Sequence, residues 1–330
     1  MYCFNRVTTL TEIPAFTELR TRISQELVDF HKSVPMQPAD LQSYYWASTV
    51  LLMSGDRKHT EELWKDVQVI SSHVNDINSN VLSFSIDGIK ATLDGRLEEA
   101  VEYSNKIWKT IEGANIPGIG LLWVRDTGLR AHIYRGISPE DLELWHPGFW
   151  DTDTTYAASW QCLMYAHCQQ VENANDILDK NVVEREGIGT KDDNTQVWMD
   201  TFYFESSVLI KHKKAAELLY NRMNVSGLCT NGIHATSSIP RHLGGAAILL
   251  GKYDKAKEHY KESLRICTKM NFRPELALTH LNYAELLLDH YPKEKAEALE
   301  HLDFAIKEFR EMKMQPSLER ALRRKDILKA

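Results

Sequence analysis

The sequence predicts an all-α chain built from repeated helix–turn–helix units, and three observations carry that prediction. Glycine and proline together make up about 8% of the 330 residues, below the roughly 12% of average usage, which disfavours turn-dense β folds. Apolar residues recur at three- and four-residue spacing, the mark of amphipathic helices. Two segments 156 residues apart, beginning at Gly88 and at Gly244, align without gaps.

The shared frame of those segments is Gly-x2-Ala-x3-Gly-basic-apolar-acidic-x-Ala, running from Gly88 through Ala91 and Gly95 to Ala100, and from Gly244 through Ala247 and Gly251 to Ala256. Their separation is about four units of 39. Weaker copies stand at the same step, at Ser48-x2-Leu51-x3-Gly55, Gly128-x2-Ala131, Met164-x2-His167-x3-Val171, Phe204-x2-Ser207-x3-Lys211 and Ala284-x2-Leu287-x3-Tyr291. A period of this length means a stack in which each unit buries its apolar face against its neighbours. Gly95 and Gly251 suit the left-handed position that closes a helix. Glu98 and Asp254 place negative charge at the next helix's N-terminus. Gly88, Gly244 and Ala284 are small where a neighbouring helix must approach, and Ala100, Ala256 and Ala296 are small on the facing helix.

In chain order the pattern predicts helices near 13–34, 39–54, 58–74, 79–94, 97–112, 117–135, 139–145, 155–170, 172–185, 195–210, 212–223, 235–250, 253–270, 274–290, 292–313 and 316–328. The last full unit is the most regular. Leu276, Ala277, Leu281, Ala284 and Leu287 share one face, as do Leu299, Leu302, Ile306 and Phe309. Pro274, Pro292 and Pro316 stand at helix starts, where proline is tolerated. The expectation is one right-handed superhelical solenoid: a partial repeat over 1–37, seven hairpins over 38–314 and a capping helix over 315–330. The first helix reads as half of a hairpin, so its apolar edge is a candidate dimer contact.

Composition narrows the function classes. With 39 Lys/Arg against 46 Asp/Glu the net charge is −7, which argues against a globally basic nucleic-acid binder. No apolar run has the roughly 18 residues a membrane helix needs, and the N-terminus lacks a signal-peptide pattern. Five cysteines, odd in number and widely spaced, read as reduced, buried thiols of a cytoplasmic protein rather than a metal site. No phosphate-cradling Gly-x4-Gly-Lys-Ser/Thr loop is present, and Gly187-Ile-Gly189-Thr-Lys191 lacks its frame. Neither a cofactor nor a metal site is expected.

Leu243-Gly244, Ala256, Tyr260 and Ser263 match the tetratricopeptide pattern of Leu-Gly followed by Ala-x3-aromatic-x2-small, on a repeat of about forty instead of 34. Together with Arg241-His-Leu-Gly-Gly, Asn271-Phe-Arg-Pro-Glu-Leu-Ala-Leu, Ala298-Leu-Glu-His-Leu-Asp-Phe-Ala and Glu311-Met-Lys-Met-Gln-Pro-Ser-Leu-Glu-Arg-Ala-Leu, the stretch resembles the C-terminal helical region of bacterial class III adenylate/guanylate cyclases that carry a signalling ATPase. It is similar also to the long-helix repeats of maltose-activator-type regulators. The resemblance covers the last ninety residues best. It implies a sensory or regulatory helical-repeat region without the cyclase, ATPase or DNA-binding portions.

Candidate functional residues are few. Trp145-His146-Pro147-Gly148-Phe149-Trp150 would present Trp145, His146, Phe149 and Trp150 to a ligand, aromatic side chains being favoured at recognition sites, or would plug a short unit. Residues 231–330 carry eighteen Lys/Arg against fourteen Asp/Glu. There Arg320, Arg323 and Arg324 could dock an acidic partner, or serve as a solvated helix cap. Six tryptophans (Trp46, Trp64, Trp108, Trp123, Trp160 and Trp198) read as core. The polar loops 186–194 and 224–236 read as surface turns that could line a groove. His301 falls on the polar side of its helix. The expected function is a non-catalytic scaffold that binds a protein, a peptide or a small effector, with no direct nucleic-acid or membrane contact. The alternatives are an enzyme whose inter-helix pocket pairs His with a carboxylate, and the regulator module of a transcription factor.

Overall fold

The computed structural model describes residues 17–34, 36–74, 76–114, 117–137, 155–190 and 192–327. Fifteen α-helices and no β-strand occur among them. In order they are α1 Thr17–Ser33, α2 Leu41–Met53, α3 Arg57–Val74, α4 Ile77–Asp94, α5 Leu97–Gly113, α6 Pro117–Arg135, α7 Thr155–His167, α8 Val171–Leu178, α9 Val197–Leu209, α10 Lys213–Asn224, α11 Ile239–Leu249, α12 Tyr253–Lys269, α13 Arg273–His290, α14 Lys295–Glu311 and α15 Gln315–Ile327. The helix expected at 139–145 lies outside the described residues. Many neighbouring helices pack on one another, α4 with α5, α11 with α12 and α13 with α14 among them.

The period of about forty reappears in the way helices end. After α2, α4, α9 and α11, the residue at the frame's turn position is left-handed: Gly55 (φ 77), Gly95 (φ 78), Lys211 (φ 61) and Gly251 (φ 74). The next residue then donates its N–H back five places, Asp56 to Leu51, Arg96 to Ala91, His212 to Ser207 and Lys252 to Ala247, at 2.8–2.9 Å. This double closure satisfies orphan carbonyls at a helix C-terminus. Lys211 shows that the closure survives without glycine. Gln169, Asn271 and Lys313 are left-handed at further helix ends.

The last hairpin departs from the frame. Tyr291 has φ −131, and Pro292–Glu294 forms a 3-10 turn before α14 begins at Lys295. The register moves by two, so Ala298 takes the buried place expected of Ala296, which is exposed.

The chain forms two compact units. The first contains residues up to Ala131 together with Thr195–Trp198 and Ser226–Ser237. Its core includes Tyr45, Leu52, Trp64, Val67, Ile86 and Ile107. Gly88 on α4 sits where expected, since a β-carbon there would overlap Thr127 Cγ2 on α6 and lie 3.2 Å from Tyr103 Cβ on α5. The surface turn expected at 224–236 is exposed only at its start, at Asn224, Val225 and Gly227, whereas Thr230–Ser237 are all buried. Its polar groups are satisfied internally. Cys229 N donates to Met53 O (2.8 Å), Thr230 Oγ1 to Leu52 O (2.9 Å) and Ser237 N to Asn231 Oδ1 (2.7 Å). Such bonds permit burial of an irregular polar chain.

The second unit holds His132–Asn194, Met199–Val225 and Ser238–Ala330. Leu163, Phe202, Ala247, Ala277, Leu281 and Leu302 lie in its core. Its 186–194 loop is pinned by a buried square of charges. Arg185 donates to Asp200 (2.8 Å), Arg222 Nε pairs with Asp200 (2.5 Å), and both arginines meet Asp193. Burial pushes the Asp200 carboxyl up to about 6, against the pull of Arg185. Cys162 and Cys267 are buried thiols, as expected, and burial raises both to about 12.

Candidate functional site

A groove of about 540 Å³ opens in the second unit, within the size range of ligand sites. Helices α9, α11, α13 and α15 line it, together with Tyr260 from α12. Its wall is apolar at Val208, Leu209, Ile248, Leu249 and Leu286.

Arg241 is the most constrained polar group in the groove. Its Nε and Nη2 donate to the two carboxylate oxygens of Glu275 at 2.6 and 2.9 Å. Glu275, fully buried on α13, also accepts from Tyr134 Oη (2.6 Å) and Ser238 N (2.9 Å). Burial pulls the Arg241 pKa down, but Glu275 outweighs that and holds the guanidinium above its ordinary value, so it is always charged. Its Nη1 has no acceptor among the described residues, while the side chain keeps 12% exposure. Beside it Glu205 accepts from His167 Nε2 at 3.1 Å and lies 3.7 Å from His242 Nε2 and 3.9 Å from Arg241 Nη2.

Tyr260 reaches the groove because α11 carries a glycine, Gly244, where its ring passes. A β-carbon at Gly244 would fall within 2.6–2.8 Å of Tyr260 ring atoms, and one at Gly245 would lie 3.9 Å from its hydroxyl oxygen. The ring is buried, yet Tyr260 lines the groove, and its hydroxyl makes no hydrogen bond among the described residues. Burial and Glu285 raise the Tyr260 pKa, so it stays a neutral hydroxyl. Asn282 on α13 also lines the groove, half-buried, with its amide unbonded among the described residues. The Gly244 of the sequence frame is thus part of the site as well as of the packing.

The basic residues of α15 have partners. Arg320 donates to Glu285 (2.8 Å) and Arg324 to Asp289, both across to α13, and both arginines line the groove. Lys325 pairs with Asp303 on α14. Arg323 is outside the groove lining, 70% exposed, and lies 3.9 Å from Glu319. Trp145, His146, Phe149 and Trp150 lie outside the described residues. Among the described residues no three His, Cys, Asp or Glu side chains come together as a metal cage, and no helix is long and apolar enough to cross a membrane.

Two clusters were not visible in the sequence. In the first unit His234 Nδ1 donates to Asp126 (3.0 Å), and its ring packs near Trp198 (centroids 5.0 Å) and Trp46 (6.1 Å). Trp64, Trp160 and Trp198 are core as expected, whereas Trp46, Trp108 and Trp123 are half-buried. In the second unit His301, expected on a polar face, meets His280 with Nδ1 atoms 2.7 Å apart. Phe304 stacks on His280 at 4.0 Å. Burial, and then His301, lowers His280 to about 3, so it is neutral at ordinary pH.

No protein-family model matches the chain, and no curated protein matches it in sequence.

Proposed function

We propose that this chain is a non-catalytic binding module, a right-handed solenoid of about seven tetratricopeptide-like hairpins, that receives its ligand in the groove of the second unit. The observation that carries this reading is the combination found there. Three alternate helices, α9, α11 and α13, supply the apolar wall, α15 adds two arginines, and polar groups with unspent hydrogen-bonding capacity line the same groove. Preorganised polar groups in an apolar cleft are the ordinary makings of a ligand site. By its resemblance to the helical regions of cyclase–ATPase proteins, the module is regulatory, passing the bound state to an output domain in the same or another chain.

A photoreactive residue at Leu249 in the groove, compared with one at Val69 in the first unit, tests the reading. The chain is crosslinked in cells that produce it. A defined adduct at Leu249 and not at Val69 supports the groove. Equal labelling, or none at Leu249, removes it.

A hydrolytic reading draws on one observation, the Glu205 carboxylate between His167 and His242, which is a general acid–base grouping. Loss of a turnover activity in Glu205→Gln, with ligand affinity kept, would favour it over the binding module.

A further inference from the structure

We infer that His280 and His301 form a site for one divalent transition-metal ion, Cu²⁺ above all, held between their Nδ1 atoms with water in the remaining positions. Neither histidine lines the groove, so the inference stands whatever the groove binds. Three observations carry it.

The first is the convergence of two imidazole nitrogens on one point. His280 stands on α13 and His301 on α14, and the packing of this hairpin brings their Nδ1 atoms to 2.7 Å. In the metal-free chain one ring donates its Nδ1–H to the other. Two nitrogens bound to one metal at about 2.0–2.1 Å stand about 2.9 Å apart at a right angle and about 3.3 Å apart at the tetrahedral angle. The pair is thus about 0.2 Å short of a right-angled bite, within a slight turn of either ring. Square and tetragonal coordination suits Cu²⁺ and Ni²⁺, and Cu²⁺ heads the affinity order of the divalent ions. A site with two protein ligands also agrees with the absence of any three-residue cage among the described residues.

The second is that both rings are held in place and neutral. Phe304 stacks on His280 with centroids 4.0 Å apart, and Tyr283 packs on His301 at 4.8 Å. Little side-chain freedom is left to lose on binding. Burial lowers the pKa of both histidines, so a metal need not displace an imidazolium proton at neutral pH. The ring that gives up its Nδ1 proton to water takes one from water at Nε2, and both rings stay neutral ligands. Both side chains are half-buried, which leaves an approach for the ion and for the waters that complete its coordination.

The third is a carboxylate behind one ligand. Glu297, one turn before His301 on α14, places Oε1 3.7 Å from His301 Nε2 and accepts from Tyr283 Oη at 3.3 Å. A metal-bound histidine ordinarily directs its other ring N–H to such a carboxylate, which fixes the tautomer and raises the basicity of the ligating nitrogen. Glu297 and Glu300 both favour positive charge at His301, and the same field favours a bound cation.

The test uses the full chain, made without a polyhistidine tag, stripped with a chelator and titrated separately with Cu²⁺, Ni²⁺ and Zn²⁺. The expected result is one equivalent of metal bound more tightly than any further equivalents, with Cu²⁺ the tightest of the three. Electron paramagnetic resonance of that Cu²⁺ equivalent should show hyperfine splitting from two nitrogens. In His280→Gln and in His301→Gln the tight equivalent should weaken more than about a hundredfold, beyond what loss of an outer partner costs, and the two-nitrogen pattern should disappear. Glu297→Gln, at an exposed side chain, should weaken binding about tenfold with the two-nitrogen pattern and the helical content kept. The spectrum of the unaltered chain and the Glu297→Gln titration do not depend on the histidine variants folding. A tight equivalent that survives in both histidine variants overturns the inference, because the metal then belongs to other histidines of the thirteen. A spectrum with fewer than two nitrogens overturns it as well. No tight equivalent of any of the three ions reduces the pair to a hydrogen bond sharing one proton. Unchanged affinity in Glu297→Gln overturns the part given to that carboxylate.

Discussion

Replacing Gly88 by alanine tests the packing of the repeat at its tightest point. The new β-carbon would overlap Thr127 Cγ2 and press on Tyr103 Cβ at 3.2 Å. Thr127 cannot swing aside. It is 1% exposed, and its Oγ1 donates to Ser85 Oγ (3.1 Å), which in turn meets Tyr45 Oη (2.9 Å). Alanine in a helix interior gains about 1 kcal/mol over glycine. Overpacking a close-packed site costs about 1–3 kcal/mol, and an overlap with a fixed methyl belongs at the upper end. The net expectation for Gly88→Ala is therefore a loss of about 2 kcal/mol. Thr127→Ser removes the offending methyl and keeps the hydroxyl bond to Ser85. By itself it should cost about 1 kcal/mol, the usual price of a lost buried methyl. In that background Gly88→Ala should become stabilising by about 1 kcal/mol, which makes the coupling between the two sites about 3 kcal/mol. Urea unfolding followed by tryptophan fluorescence reads the cycle, because Trp46, Trp64, Trp108, Trp123 and Trp198 all belong to the first unit. Effects that add to within about 0.5 kcal/mol would refute the claimed contact.

Other outcomes follow from the same structure. Stability should fall as pH drops below about 6.5. His280 is neutral in the fold down to about 3 but protonates near 6.5 when unfolded, so the loss should reach about 1–2 kcal/mol at pH 5; His280→Gln should flatten that part of the profile if the assignment holds. Breaking the buried charge square by Arg222→Ala leaves Asp193 and Asp200 without a cation they now share, and should cost about 3–5 kcal/mol in denaturant titrations. A loss under about 1 kcal/mol would show that the square is solvated. Lys211→Gly should stabilise by up to about 1 kcal/mol by relieving a left-handed lysine, while Gly251→Ala should destabilise by about 1 kcal/mol at the equivalent turn. A destabilising Lys211→Gly together with a stabilising Gly251→Ala in thermal melts would contradict the common helix closure.

The helices and much of their spacing are written in the order of residues along the chain. Helix positions came from apolar periodicity, a property of neighbours within one turn, and fifteen of the sixteen expected helices fall within the described residues. The Gly95 and Gly251 turns were legible because a left-handed residue is a local steric requirement. The small residues Gly88 and Gly244 marked close approach, since only a missing side chain can record it in one dimension.

Other features depended on which residues meet across a repeat. The frame placed a turn at Lys211 but could not show that lysine would accept its strain. It failed at Tyr291, where Pro292 and a 3-10 turn moved the register and exchanged Ala296 for Ala298. The loop at 224–236 read as a surface turn because its residues are polar, yet beyond Gly227 it is not one. It is buried because its backbone and side chains bond to α2 and to one another. The partners of Arg320 and Arg324 stand 35 residues away on another helix, so their charge looked available. The groove arises the same way: Arg241, Tyr260 and Asn282 stand on three different helices, and only their packing brings them to one cavity. Local sterics and periodicity are written along the chain, whereas neutralised charge, burial of polar groups and convergence on a cavity exist only between segments.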